Sequence, residues 1–91
     1  MQTYVIERAI DGIGAATAAE LQAIAQKSNG VLEQLGDRVQ WKHSYVTTDK
    51  IYCVYEAGSE ELVQEHARRG GFPADVVTPV ASVIDPSTGN T

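Results

Sequence analysis

The stretch Trp41-Lys42-His43-Ser44-Tyr45-Val46-Thr47-Thr48-Asp49-Lys50-Ile51-Tyr52-Cys53-Val54-Tyr55-Glu56 decides the fold. Both halves are rich in Val, Ile, Thr and aromatic residues, and Thr47-Thr48-Asp49-Lys50 between them is polar and turn-prone, so it reads as a β-hairpin. Alternation along the first strand sets Trp41, His43 and Tyr45 on one face and Lys42, Ser44 and Val46 on the other. With Thr48-Asp49 as a two-residue loop, Thr47 pairs with Lys50, Tyr45 with Tyr52, His43 with Val54 and Trp41 with Glu56. Cys53 then points away from His43. A loop one residue longer would bring Cys53 and Tyr55 beside His43 instead, because a one-residue slip exchanges the faces of a strand. The first register is the expectation.

Upstream, Gln2 to Ala9 has a β-branched and aromatic centre and is broken by Asp11-Gly12-Ile13-Gly14, which predicts the first strand. Glu7 and Arg8 face opposite sides of it; either one of them borders the core or an interface, or the strand end reaches solvent and accommodates both. Gly12-Ile13-Gly14 is no dinucleotide fingerprint, since Thr17 stands where the third glycine belongs. Thr17-Ala18-Ala19-Glu20 has the capping-box pattern, and Leu21, Ile24, Ala25, Val31, Leu32 and Leu35 follow at helical spacing until Gly36. Gly30 inside this helix marks a kink, a close contact or a break.

Downstream, Ser59 caps a second helix with Glu60 and Glu61 in its first turn. Its apolar side carries Leu62, Val63, His66 and Ala67, and Gly70-Gly71 ends it. Val76 to Asp85 reads as a fourth strand, at an edge or bulged because Pro79 cannot donate to a ladder. Residues 1–86 thus form one domain, and 87–91 a polar, frayed tail.

The order β-α-β-β-α-β is the ferredoxin-like arrangement, an α+β fold with two helices on one face of a four-stranded antiparallel sheet. An aromatic open face on so short a chain favours self-association or ligand binding.

Ninety-one residues with 43% hydrophobic content suit one domain that folds without a structural metal. A single Cys makes no internal disulfide, and neither a signal segment nor a membrane-spanning run stands out, so the cytoplasm is the expected location. A formal charge of −5 disfavours nucleic acid and anionic membrane as partners. The basic pair Arg68-Arg69 complements the dipole at a helix end.

In Trp41-x-His43-Ser44-Tyr45-Val46, Tyr52-Cys53-Val54-Tyr55-Glu56, Glu65-His66-Ala67 and Val83-Ile84-Asp85-Pro86, the chain resembles the small bacterial proteins grouped as DUF4242. One of these is described as a nickel-binding protein from an actinomycete. The resemblance runs from the first strand through Pro86. It implies a ferredoxin-like fold, a homodimer whose sheets form an α/β barrel, and nickel binding in some members. It supplies no ligand positions.

Side-chain chemistry nominates His43, Glu56, His66 and Cys53 as N, O and S donors for nickel or another divalent transition metal. No CxxC, HxH or helical His pair is present, so the fold must assemble any such site. Each nominee has a plainer role: His43 as a hydrogen-bonded interface histidine, His66 as a satisfied core histidine, Cys53 as a small buried hydrophobe, and Glu56 as a solvated strand end. The leading reading is a small metal-binding protein acting in metal sequestration or homeostasis. A second is a cofactor-independent dimeric α/β-barrel enzyme of monooxygenase or isomerase type, with Trp41, Tyr45 and Tyr52 lining a pocket for a small apolar substrate and His43 moving protons. A third is a plain dimerisation module.

Overall fold

In the first strand, β1 (Gln2–Ala9), Tyr4, Ile6 and Arg8 are buried while Thr3, Val5 and Glu7 are only partly covered. The structure, a computed structural model, describes residues 1–90. The chain continues through α1 (Ala18–Leu35), β2 (Val39–Val46), β3 (Lys50–Ala57), α2 (Glu60–Gly70) and β4 (Val76–Pro79). The sheet order is β2-β3-β1-β4 with every neighbouring pair antiparallel. This is the expected ferredoxin-like topology.

Both helices lie on the face bearing Tyr4, Ile6, Ile51, Cys53, Tyr55 and Ala57, which pack with Val31, Leu35 and Val63 into one core. The other face carries Thr3, Val5, Glu7, Tyr52, Val54 and Glu56, half-buried, with His43 and Tyr45 exposed. No second layer covers it among the described residues.

The capping box on α1 is complete: the Glu20 amide donates to Thr17 Oγ1 at 3.1 Å, and the Thr17 amide donates to Glu20 Oε1 at 3.0 Å. These bonds hold the Glu20 carboxyl below its ordinary pKa. The helix passes through Gly30 without a break, and a Cβ there would meet nothing, so neither a break nor a close contact explains that glycine. In α2 the Leu62 amide donates to Ser59 Oγ, and Gly71 closes the helix in the left-handed region at φ 68°. Arg68 and Arg69, in the last turn, both pair with Glu65.

The hairpin loop is Thr48-Asp49, with the Thr47 amide donating to the Lys50 carbonyl at 2.8 Å. Tyr45 faces Tyr52 and His43 faces Val54, as the shorter loop requires. Beyond His43 the pairing slips at a bulge, so Trp41 lies opposite Tyr55 and Gln40 opposite Glu56. The expected Trp41–Glu56 pair therefore does not form, and Trp41 joins the helix-covered face. Side chains on both faces fix the slip: the Lys42 ammonium reaches Gln40 Oε1 and Glu56 Oε2 on the open side, while the Trp41 indole N–H donates to Ser44 Oγ at 2.9 Å.

Strand β4 is at an edge, as Pro79 suggests, but it ends there instead of reaching Asp85. Its register sets Tyr4 against Pro79, and the Val80 amide donates to the Thr3 carbonyl, so β1 offers almost no residue further on. Val83 and Ile84 are consequently exposed. The polar tail is not frayed throughout: Pro86–Asn90 forms a 3-10 turn, with Asp85 Oδ1 accepting from the Ser87 amide.

Candidate functional site

The four nominated donors divide between the two faces of the sheet. On the open face, His43 from β2 is exposed, its ring edge-on to Tyr45 at 5.1 Å. Glu56 shares that face from β3, two residues beyond the Val54 that faces His43, and its carboxylate pairs with Lys42 at 3.4 Å. His43 and Glu56 are thus diagonal neighbours, a relation that brings long side chains within reach of each other. Tyr45 and Tyr52 lie side by side next to them.

On the covered face are the other two. Cys53 is a buried free thiol. His66 is 0% exposed, held between α2, α1 and the sheet, with Nε2 3.0 Å from Ser28 Oγ and its ring against Tyr55 and Phe72. Burial, aided by the nearby Arg8 charge, lowers its pKa to about 4, and its Nδ1 has no partner. At neutral pH it is a neutral core imidazole. Among the described residues no three His, Cys, Asp or Glu side chains converge in a way that could hold an ion. One protomer alone therefore does not fit a complete metal site.

The aromatic trio nominated for a pocket is also split, since the bulge sends Trp41 to the covered face and leaves Tyr45 and Tyr52 on the open one. A cavity of about 240 Å³ does exist under α1, with Trp41, Leu21, Ile24 and Val46 in its wall. Arg8 borders it from β1, 3% exposed. Sequence reasoning left open which of Glu7 and Arg8 faced inward. The signal was present, because Arg8 keeps the parity of Tyr4 and Ile6, the more apolar side of β1.

With this geometry in hand, comparison with known proteins is decisive for the family alone. The family described as nickel responsive protein SCO4226-like matches residues 4–80. The chain belongs to the SCO4226-like family. The crystal structure of SCO4226 from Streptomyces coelicolor A3(2) superposes with a TM-score of 0.75 at 24% identity, over 90% of this chain and 99% of that one. The SCO4226-like fold also resembles part of the Clostridium acetobutylicum aspartate kinase, described as an allosteric enzyme. There the TM-score is 0.50 at 14% identity, over 86% of this chain and 18% of the kinase. No curated protein sequence matches the chain. No described helix is long and apolar enough to cross a membrane.

Proposed function

We propose that this SCO4226-like protein binds nickel or a similar divalent transition metal on the open face of its sheet, in a site completed by a second copy of the chain, and so takes part in metal sequestration or homeostasis. The observation that carries the reading is the placement of His43 and Glu56 as diagonal neighbours on an uncovered, aromatic-bordered face. An imidazole and a carboxylate are donors that nickel accepts. Two donors do not enclose an ion, and pairing two open faces would double them to four.

The family description supports the choice of metal. Cys53 and His66 lie across the sheet and take no part.

Isothermal titration with nickel, followed by the same titration of His43→Ala, tests the reading. The variant is expected to bind roughly tenfold or more weakly with its fold intact, since even supporting residues around a metal are worth about that much. Lys42→Met should bind about two- to threefold more tightly, because the surface ion pair that occupies Glu56 is worth no more than about 1 kcal/mol. Unchanged affinity in His43→Ala, or no nickel uptake by the wild type at neutral pH, would exclude the site.

A further inference from the structure

The cavity under α1 is mostly apolar, with Ser28, Ser44 and Tyr55 among its lining and Arg8 its one charged group. Arg8 is a buried guanidinium at its border. Its Nε donates to Cys53 Sγ at 3.4 Å and its Nη1 to the Pro73 carbonyl at 2.5 Å, while its carbon centre lies 5.5 Å from the middle of the Phe72 ring. Nη2 has no hydrogen-bond partner. Among the described residues no carboxylate pairs with it, although Lys42, Lys50, Arg68 and Arg69 all find one on the surface.

Nor do Tyr55 and His66 beside it bring negative charge. Burial, followed by the proximity of Cys53, pushes the Tyr55 hydroxyl above its ordinary pKa, against smaller opposing effects of Arg8 and Ser28, so it stays a neutral phenol. His66 is a neutral imidazole at neutral pH. A thiol, a carbonyl and a ring face soften the burial of a cation, but the penalty still amounts to several kcal/mol unless an anion meets it.

We propose that this cavity is a binding site for a small apolar carboxylate, whose anionic group meets the free edge of Arg8 and whose hydrocarbon body lies against Leu21, Ile24 and Trp41. The planar guanidinium suits a carboxylate, which it can hold by parallel N–H···O bonds. A doubly charged phosphate would leave surplus charge against an apolar wall, and a neutral molecule would leave the cation unmatched. The volume of about 240 Å³ lies below the range usual for drug-sized ligands, so the acid is small, of the order of one ring or a short branched chain. The site is on the opposite side of the sheet from His43 and Glu56, and it stands or falls independently of metal binding.

Trp41 is the only tryptophan and lines the cavity, so its fluorescence reports occupancy. The full-length chain is titrated with phenylacetate, benzoate and hexanoate, with phenylacetamide as the uncharged isostere, and with inorganic phosphate. At least one of the three acids is expected to bind at one per chain, and more than tenfold more tightly than either control. Arg8→Met keeps the aliphatic stem and removes the charge, so it should lose that binding more than tenfold without a fall in melting temperature. Ala25→Phe fills the cavity with Arg8 untouched, and should also abolish binding while the circular dichroism stays that of the wild type. If Arg8→Met fails to fold, the acid-to-amide ratio and Ala25→Phe decide. The proposal is overturned if none of the acids binds, if phenylacetamide or phosphate binds as tightly as the acids, or if binding survives in either folded variant.

Discussion

His66 shows what a change of surroundings does to one side chain. In the unfolded chain it titrates near 6.5, and in the core near 4. Between those values the unfolded state holds the extra proton, so stability rises with pH across the window and is lost as pH falls from 6.5 towards 4. The shift corresponds to about 3 kcal/mol at full extent. Urea unfolding of the wild type at pH 7 and pH 4.5 should display most of that loss. His66→Leu should flatten the dependence while losing about 1 to 3 kcal/mol at pH 7, because Ser28 Oγ is left buried without its partner. An unchanged pH slope in the variant would assign the acid sensitivity to other groups. Its apolar-side position in α2 was legible from helical spacing. The partner on α1 was not, since Ser28 and His66 are 38 residues apart and nothing local marks a serine as buried.

Among the elements, the hairpin loop and the β1–α1 connection act as one unit. The Asp49 carbonyl accepts from the Ile10 amide, Asp49 Oδ1 from the Gly12 amide, and the Thr48 carbonyl from the Gly14 amide. This explains why a Thr-Asp loop with little turn preference of its own still closes in two residues. It also explains Gly14: a Cβ there would stand 2.8 Å from both Thr47 O and Thr48 Cα, which are backbone atoms with nowhere to go. Gly14→Ala should therefore cost about 1 to 3 kcal/mol, and exchange of the Ile10 and Gly12 amides, which donate to the loop, should quicken beyond what global stability explains. A variant as stable as the wild type would mean that the loop yields easily. Strand type, helix limits and caps were readable because each rests on near neighbours in sequence. The bulge was not, because Lys42 carries no glycine or proline to announce it and is held by residues from both strands. The end of β4 was hidden for a related reason, being set by where β1 begins rather than by the Val-rich sequence after Pro79.

At the scale of the whole molecule, the uncovered sheet face sets the expectation of a homodimer. Tyr45 is 61% exposed there, next to Tyr52, Val54 and Val5, and covering that aromatic and aliphatic patch with a second copy would take apolar surface out of water. Sedimentation should give about twice the chain mass of 9.8 kDa. Val54→Lys sets a charge at the middle of the face and should yield a folded monomer, with nickel uptake weakened alongside if the ion is held between copies. A wild-type monomer at micromolar concentration would leave the face to some other occupant. The bulge in β2 adds something that no substitution could. It is a phase slip in the strand's two-residue rhythm: read from the turn, His43 keeps time with the open surface, whereas Trp41, one beat late, lands in the cavity wall. Removing Lys42 alone would restore the rhythm by setting Trp41 directly before His43, with Trp41 still opposite Tyr55 in the cavity wall and His43 still on the open surface. Because β2 is an edge strand, only its pairing with β3 carries the slip. The extra residue thus lets the strand deal two side chains of equal parity, His43 and Trp41, to opposite sides of a sheet one residue thick.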